Sequence, residues 1–184
     1  FIFEDLNYFP PIDKSILKCW LVSAVGIMIY GYLDDKYEFR PVVKLSFQLL
    51  CVFIFSFFSS MLFLSIDSRM AFIISFGASL IVINGTNLLD GLDTLSIKTS
   101  LGIFFMFFIL GAVFHSHPIL IVSGLMMVPV CIFWLYNKEP SRIHLGEIGG
   151  TFLGFSFILL SSLSYKWIGY RTNSFDAFSY AILP

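Results

Sequence analysis

The stretch NGTNLLDGLDTLS, residues 84–96, decides how this chain reads. The apolar run ISFGASLIVI precedes it, and SLGIFFMFFILGAVF follows shortly after. Asn84, Asn87, Asp90 and Asp93 recur at every third residue. Residues three apart are neighbours on a helix, yet each step lags about 60° against a 3.6-residue turn. Asn84 and Asp93 therefore fall on opposite sides of an unbroken helix. Gly85 and Gly91 free the backbone to bend. A broken helix end is thus expected to turn all four side chains toward one point. Such groups at membrane depth are expensive and mark function.

Working outward, the rest of the chain supplies the membrane. Of 184 residues, 58% are hydrophobic and 12% charged, with 23 Phe. An ordinary soluble domain is about a quarter charged. A net charge of −1 gives no basic surface for nucleic acid. Six runs approach the roughly 20 apolar residues that a spanning helix needs. They cover about 16–33, 42–58, 70–89, 96–114, 119–136 and 148–167, with a seventh opening near Ser179. The expected fold is all-α, a polytopic transmembrane bundle forming one membrane domain over 1–184. With Phe1 first and an apolar stretch at Pro184, the chain reads as a fragment of a larger polytopic protein, inactive by itself. Cys19, Cys51 and Cys131 lie in separate apolar runs and read as free, buried thiols.

If each run crosses once, the loops alternate sides. The polar junctions near residues 34–41, 90–95 and 137–147 then share one face. The turns SIDSR and HSHP fall on the other, which separates His115 and His117 from the polar centre. Six of the 11 Lys and Arg lie toward the first face and five toward the second, so charge does not orient the chain.

Two further junctions join the first. In GYLDDKYEFRPVVKLSFQ, Asp34 and Asp35 close one span, and Lys44 and Gln48 open the next. Adjacent carboxylates on a helix point about 100° apart, so one faces a site while the other positions the loop. In PSRIHLGEIGGTFLGF, Glu147 stands among glycines before a span. A helix starting there offers free N–H groups to an anion. Carboxylates, amides and a lysine form a hard, oxygen-rich set, suited to Mg²⁺ and phosphate.

The motifs Asp34-Asp35…Lys44-Leu45-Ser46-Phe47-Gln48, Asn84-Gly85-Thr86-Asn87-Leu88-Leu89-Asp90-Gly91-Leu92-Asp93 and Gly146-Glu147-Ile148-Gly149-Gly150, in this order, resemble those of the polyprenyl-phosphate N-acetylhexosamine-1-phosphate transferases. The resemblance runs from about Ile16 to Phe155. It implies transfer of a sugar-1-phosphate, GlcNAc-1-phosphate in the first instance, from a UDP-sugar to undecaprenyl phosphate, with release of UMP. It also implies a multi-pass protein of the bacterial plasma membrane with its active site facing the cytoplasm. Asp34, Asp35, Asp90 and Asp93 are the implied catalytic residues, and Lys44, Asn84 and Asn87 the implied substrate-binding ones. Asp90 and Glu147 are the implied ligands of magnesium, or manganese in its place. Three positions depart from the family pattern: Glu147 replaces a usual aspartate, Thr94 a usual glycine and Gly150 a usual serine. One extra methylene moves the Glu147 carboxylate by about 1.5 Å.

Two alternatives compete. Intramembrane Asp and Asn also mark transporters, but a transport site lies near the midplane, and these groups crowd one end of the spans. The other is a catalytically inactive paralogue that binds lipid phosphate.

Overall fold

The computed structural model describes residues 14–60, 68–89, 94–137 and 143–171. Among them are six helices and no strand: α1 (Lys14–Tyr37), α2 (Pro41–Ser60), α3 (Ser68–Leu89), α4 (Leu95–Val113), α5 (His117–Asn137) and α6 (Gly146–Arg171). All six are long and apolar enough to cross a membrane. In hydrocarbon a helix satisfies its own backbone, which favours unbroken helices over loops. Buried hydroxyls follow the same rule by bonding one turn back. Ser79 donates to the Ser75 carbonyl, Ser123 to Ile119, Ser156 to Phe152 and Ser162 to Ile158.

The sixth helix is the centre of the bundle. Of its span, 72% is buried, against 17% for α5. One core gathers Trp20, Ile27, Phe55, Ile83, Phe155 and Leu159 from α1, α2, α3 and α6. A second gathers Ile97, Phe104, Ile119, Phe157, Leu160 and Trp167 from α4, α5 and α6. Phe155 meets Phe55 at 5.1 Å between ring centroids, and Phe157 meets Phe104 at 4.9 Å. Lipid tails are as apolar as leucine, so close packing rather than water exclusion holds such helices together.

Close packing needs small residues, and α6 has them on the α3 side. Gly150 and Gly154 are four apart, the small-xxx-small spacing of membrane helix contacts. A Cβ on Gly154 would overlap the Thr86 hydroxyl and stand 2.8 Å from Ile83 Cα. A Cβ on Gly150 would stand 3.1 Å from Asn87 Cα. Thr86 Oγ1 closes the contact by donating to the Gly150 carbonyl at 2.9 Å. On the opposite side of α6, a Cβ on Gly31 of α1 would lie 2.8 Å from Ile148 Cα.

Two expectations are corrected here. The chain does not break at Gly85, since α3 runs unbroken from Ser68 to Leu89; Gly91, the other glycine of that expectation, lies outside the described residues. Of the three cysteines only Cys51 is buried, and Cys131 lies exposed on the apolar outer side of α5.

The turn containing His115 and His117 closes α4. His115 adopts φ 52°, its N–H donates to the Ala112 carbonyl at 3.2 Å, and the Ser116 N–H donates to Gly111 at 2.7 Å. This pair of bonds is a Schellman cap, with histidine in the usual glycine position. Trp167 Nε1 donates to the Phe114 carbonyl at 2.9 Å, so this turn meets the C-terminal part of α6, the end away from Glu147.

Candidate active site

Four helix ends meet at the other pole of the bundle: the ends of α1 and α3 and the beginnings of α2 and α6. Lys44, in the first turn of α2, sits between two carboxylates. Its Nζ lies 2.6 Å from Asp34 Oδ2 and 3.0 Å from Glu147 Oε1. Asp34 is 2% exposed. Its second oxygen accepts the Phe39 N–H at 3.0 Å, which pins the start of the following loop. The second oxygen of Glu147 accepts from Asn87 Nδ2 at 2.9 Å. One glutamate thus joins α2, α3 and α6.

Asp35 points elsewhere, as the 100° step between neighbours requires. Its Oδ1 accepts the Glu147 backbone N–H at 3.0 Å. A carboxylate there satisfies one of the orphan donors at a helix start and complements the positive end of the helix dipole. The anion expected at this helix start is thus met by the protein's own aspartate. Gly146, at φ 65°, makes the approach possible: a Cβ there would stand 2.8 Å from Asp35 Oδ2.

The donor set is hard oxygen, and two of its carboxylates already converge on one cation, the Lys44 ammonium. Among the described residues there is no group of three or more His, Cys, Asp or Glu placed to hold a metal. Lys44 has three N–H donors; Asp34 and Glu147 take two of them.

The family model described as glycosyl transferase family 4 matches residues 17–165. The chain belongs to glycosyl transferase family 4. Its similarity to phospho-N-acetylmuramoyl-pentapeptide-transferase of Dictyoglomus turgidum is 32% identity over 181 residues, covering 90% of this chain and 55% of that protein. A probable undecaprenyl-phosphate N-acetylglucosaminyl 1-phosphate transferase of Bacillus subtilis is 32% identical over 157 residues, 79% of this chain and 43% of that protein. The chain spans about half the length of these curated relatives.

In this glycosyl transferase family 4 chain, the structure gathers Asp34, Asp35, Lys44, Asn87 and Glu147 at one pole. Asn84 is not part of that cluster: its Nδ2 donates to the Leu80 carbonyl at 2.8 Å, one turn back along α3. An unbroken helix explains the difference, because Asn84 and Asn87 then point about 60° apart. Asp90 and Asp93 lie outside the described residues. His144 is exposed.

The departures from the family pattern acquire physical meaning. Gly150 sits where a side chain would strike Asn87, with Oδ1 at 2.8 Å. Thr94, where the family pattern has glycine, holds a left-handed backbone at φ 62°, a conformation that glycine adopts without strain. The longer Glu147 reaches both Lys44 and Asn87. Thr86 and Gly31 were not legible as site residues. Their only signals were a hydroxyl between two motif asparagines and a glycine three residues before the paired aspartates.

Proposed function

We propose that the full-length protein transfers a sugar-1-phosphate, GlcNAc-1-phosphate in the first instance, from a UDP-sugar to undecaprenyl phosphate at the cytoplasmic face of the bacterial plasma membrane. A phosphate oxygen of the lipid attacks the phosphorus bearing the sugar. The bond from that phosphorus to the bridging oxygen breaks, and UMP leaves. The observation that carries this reading is the meeting of Asp34, Asp35, Lys44, Asn87 and Glu147 at one pole of a membrane bundle of this family. The relatives' names, which include a transferase acting on undecaprenyl phosphate, support it.

The residues divide the work. A phosphate monoester has its second pKa near 6, so at pH 7 the acceptor is already mostly dianionic. Asp34 therefore has little proton to remove; its part is to hold Lys44. The third N–H of Lys44 donates to an acceptor phosphate oxygen as a point charge. Asp35 fixes the first turn of α6, and with it Glu147. Asn87 and Glu147 flank the place of the diphosphate, joined by Asn84, Asp90 and Asp93 as the resemblance implies. Glu147 and Asp90 are the carboxylates that would hold magnesium or manganese, whose charge would offset that of the diphosphate.

The test uses the full-length protein in membranes with undecaprenyl phosphate, Mg²⁺ and radiolabelled UDP-GlcNAc. A lipid-linked sugar diphosphate together with UMP is the expected result. Intact protein that makes no product from any UDP-sugar refutes the reading.

A further inference from the structure

One buried polar group beside this pole has no task in the scheme above. Tyr30 is 2% exposed, and among the described residues its hydroxyl has no hydrogen-bond partner. It precedes Asp34 by one turn on the same side of α1. Its ring stacks on Phe47 of α2 at 5.3 Å and on Phe39 at 6.5 Å. Phe47 follows Lys44 by three residues, and Phe39 supplies the N–H that holds Asp34. The phenol is thus walled in by the residues that set the Asp34–Lys44 pair.

A phenol among carboxylates ordinarily donates to one of them. Here no described oxygen accepts from it, and each carboxylate of the pole already takes at least one other donor. Asp34 serves Phe39 and Lys44, Glu147 serves Lys44 and Asn87, and Asp35 serves the Glu147 N–H. A buried donor without an acceptor is destabilising and is rarely left so.

We infer that the Tyr30 hydroxyl is a binding donor for a phosphate oxygen of the lipid acceptor. The acceptor rather than the nucleotide is favoured by position. Tyr30 lies on the α1–α2 side of the pole, about 6 Å deeper along the span than Asp34. Asn87 and Glu147 lie on α3 and α6. A phosphate whose chain lies in the bilayer approaches from the membrane side of the pole, whereas a soluble nucleotide approaches from the water. The assignment rests on the function proposed above.

The test is Tyr30→Phe in the full-length protein, which keeps both ring contacts and removes only the hydroxyl. Binding of undecaprenyl phosphate is measured by titration calorimetry in nanodiscs without nucleotide, and KM and kcat in the transfer assay. The expected result is a Kd and KM for undecaprenyl phosphate raised at least about tenfold, with KM for the UDP-sugar unchanged and a thermal midpoint, without lipid, equal to or above that of the wild type. An unchanged Kd overturns the inference, and so does an increase confined to the UDP-sugar KM. A wild-type protein that binds the lipid but makes no product defeats the catalytic reading alone. The Kd comparison still decides Tyr30.

Discussion

Replacing Gly31 with alanine tests whether the site depends on how closely α1 approaches α6. The added Cβ would stand 2.8 Å from Ile148 Cα and 2.9 Å from its nitrogen, both backbone atoms that no rotamer change can clear. Ordinary contact begins at 3.4 Å, so the helices must part by about 0.6 Å. The Glu147 N–H to Asp35 bond, 3.0 Å now and made between these same two helices, would then stretch to about 3.6 Å, beyond useful hydrogen bonding. Overpacking of this kind destabilises by about 1–3 kcal/mol. Misplacing a catalytic group by 1 Å lowers the rate by about a hundredfold, so a loss of at least about tenfold is expected. The assay pairs transfer from radiolabelled UDP-GlcNAc with thermal unfolding in detergent, both on the full-length protein. Gly102→Ala is the control, because its Cβ would meet nothing within 4 Å. Alanine there favours the helix by up to about 1 kcal/mol and leaves activity intact. If Gly31→Ala keeps activity within twofold and the same midpoint, the close-approach argument is wrong.

Thr94→Gly should stabilise the protein by about 1 kcal/mol, seen as a higher unfolding midpoint, because threonine there holds φ 62°; a lower midpoint would show that its side chain outweighs the strain. Glu147→Asp should lower turnover at least about tenfold, since a side chain shorter by about 1.5 Å cannot reach Lys44 and Asn87 together. Activity that holds or rises would mean the position is a metal ligand with slack. Lys44→Met leaves Asp34, 2% exposed, as a buried charge without its cation. A loss of about 2–3 kcal/mol follows, and Asp34→Asn in the same chain should recover part of it; a double-mutant cycle showing no coupling would contradict the ion pair.

How much of this was legible beforehand follows from the range of each interaction. Spans are local: each apolar run of sufficient length is its own evidence, and all six proved helical. Their alternation then brought residues near 34–44, 87 and 147 to one pole without knowledge of packing. What stayed hidden was long-range. The Lys44–Glu147 contact joins residues 103 apart, and the Asp35 cap of α6 joins residues 112 apart. No spacing rule reports such pairs. The glycines misled for a different reason. Gly85 reads as a place to bend, yet in hydrocarbon an unwound turn leaves carbonyls without donors. The chain spends its glycines on approach instead, at Gly31, Gly150 and Gly154.

The central position of α6 turns it into a lever. Its far end is tied to the α4–α5 turn through Trp167 and Phe114, and its near end carries Glu147. The 22 residues from Gly146 to Trp167 make an arm of about 30 Å. A pivot of only about 2° at the Trp167 tie sweeps Glu147 through about 1 Å. Helix tilt responds to bilayer thickness. The alignment of Glu147 with Lys44 therefore depends on the neighbouring helices that hold this arm upright, and activity across bilayers of graded acyl length would measure how much of their tilt reaches it.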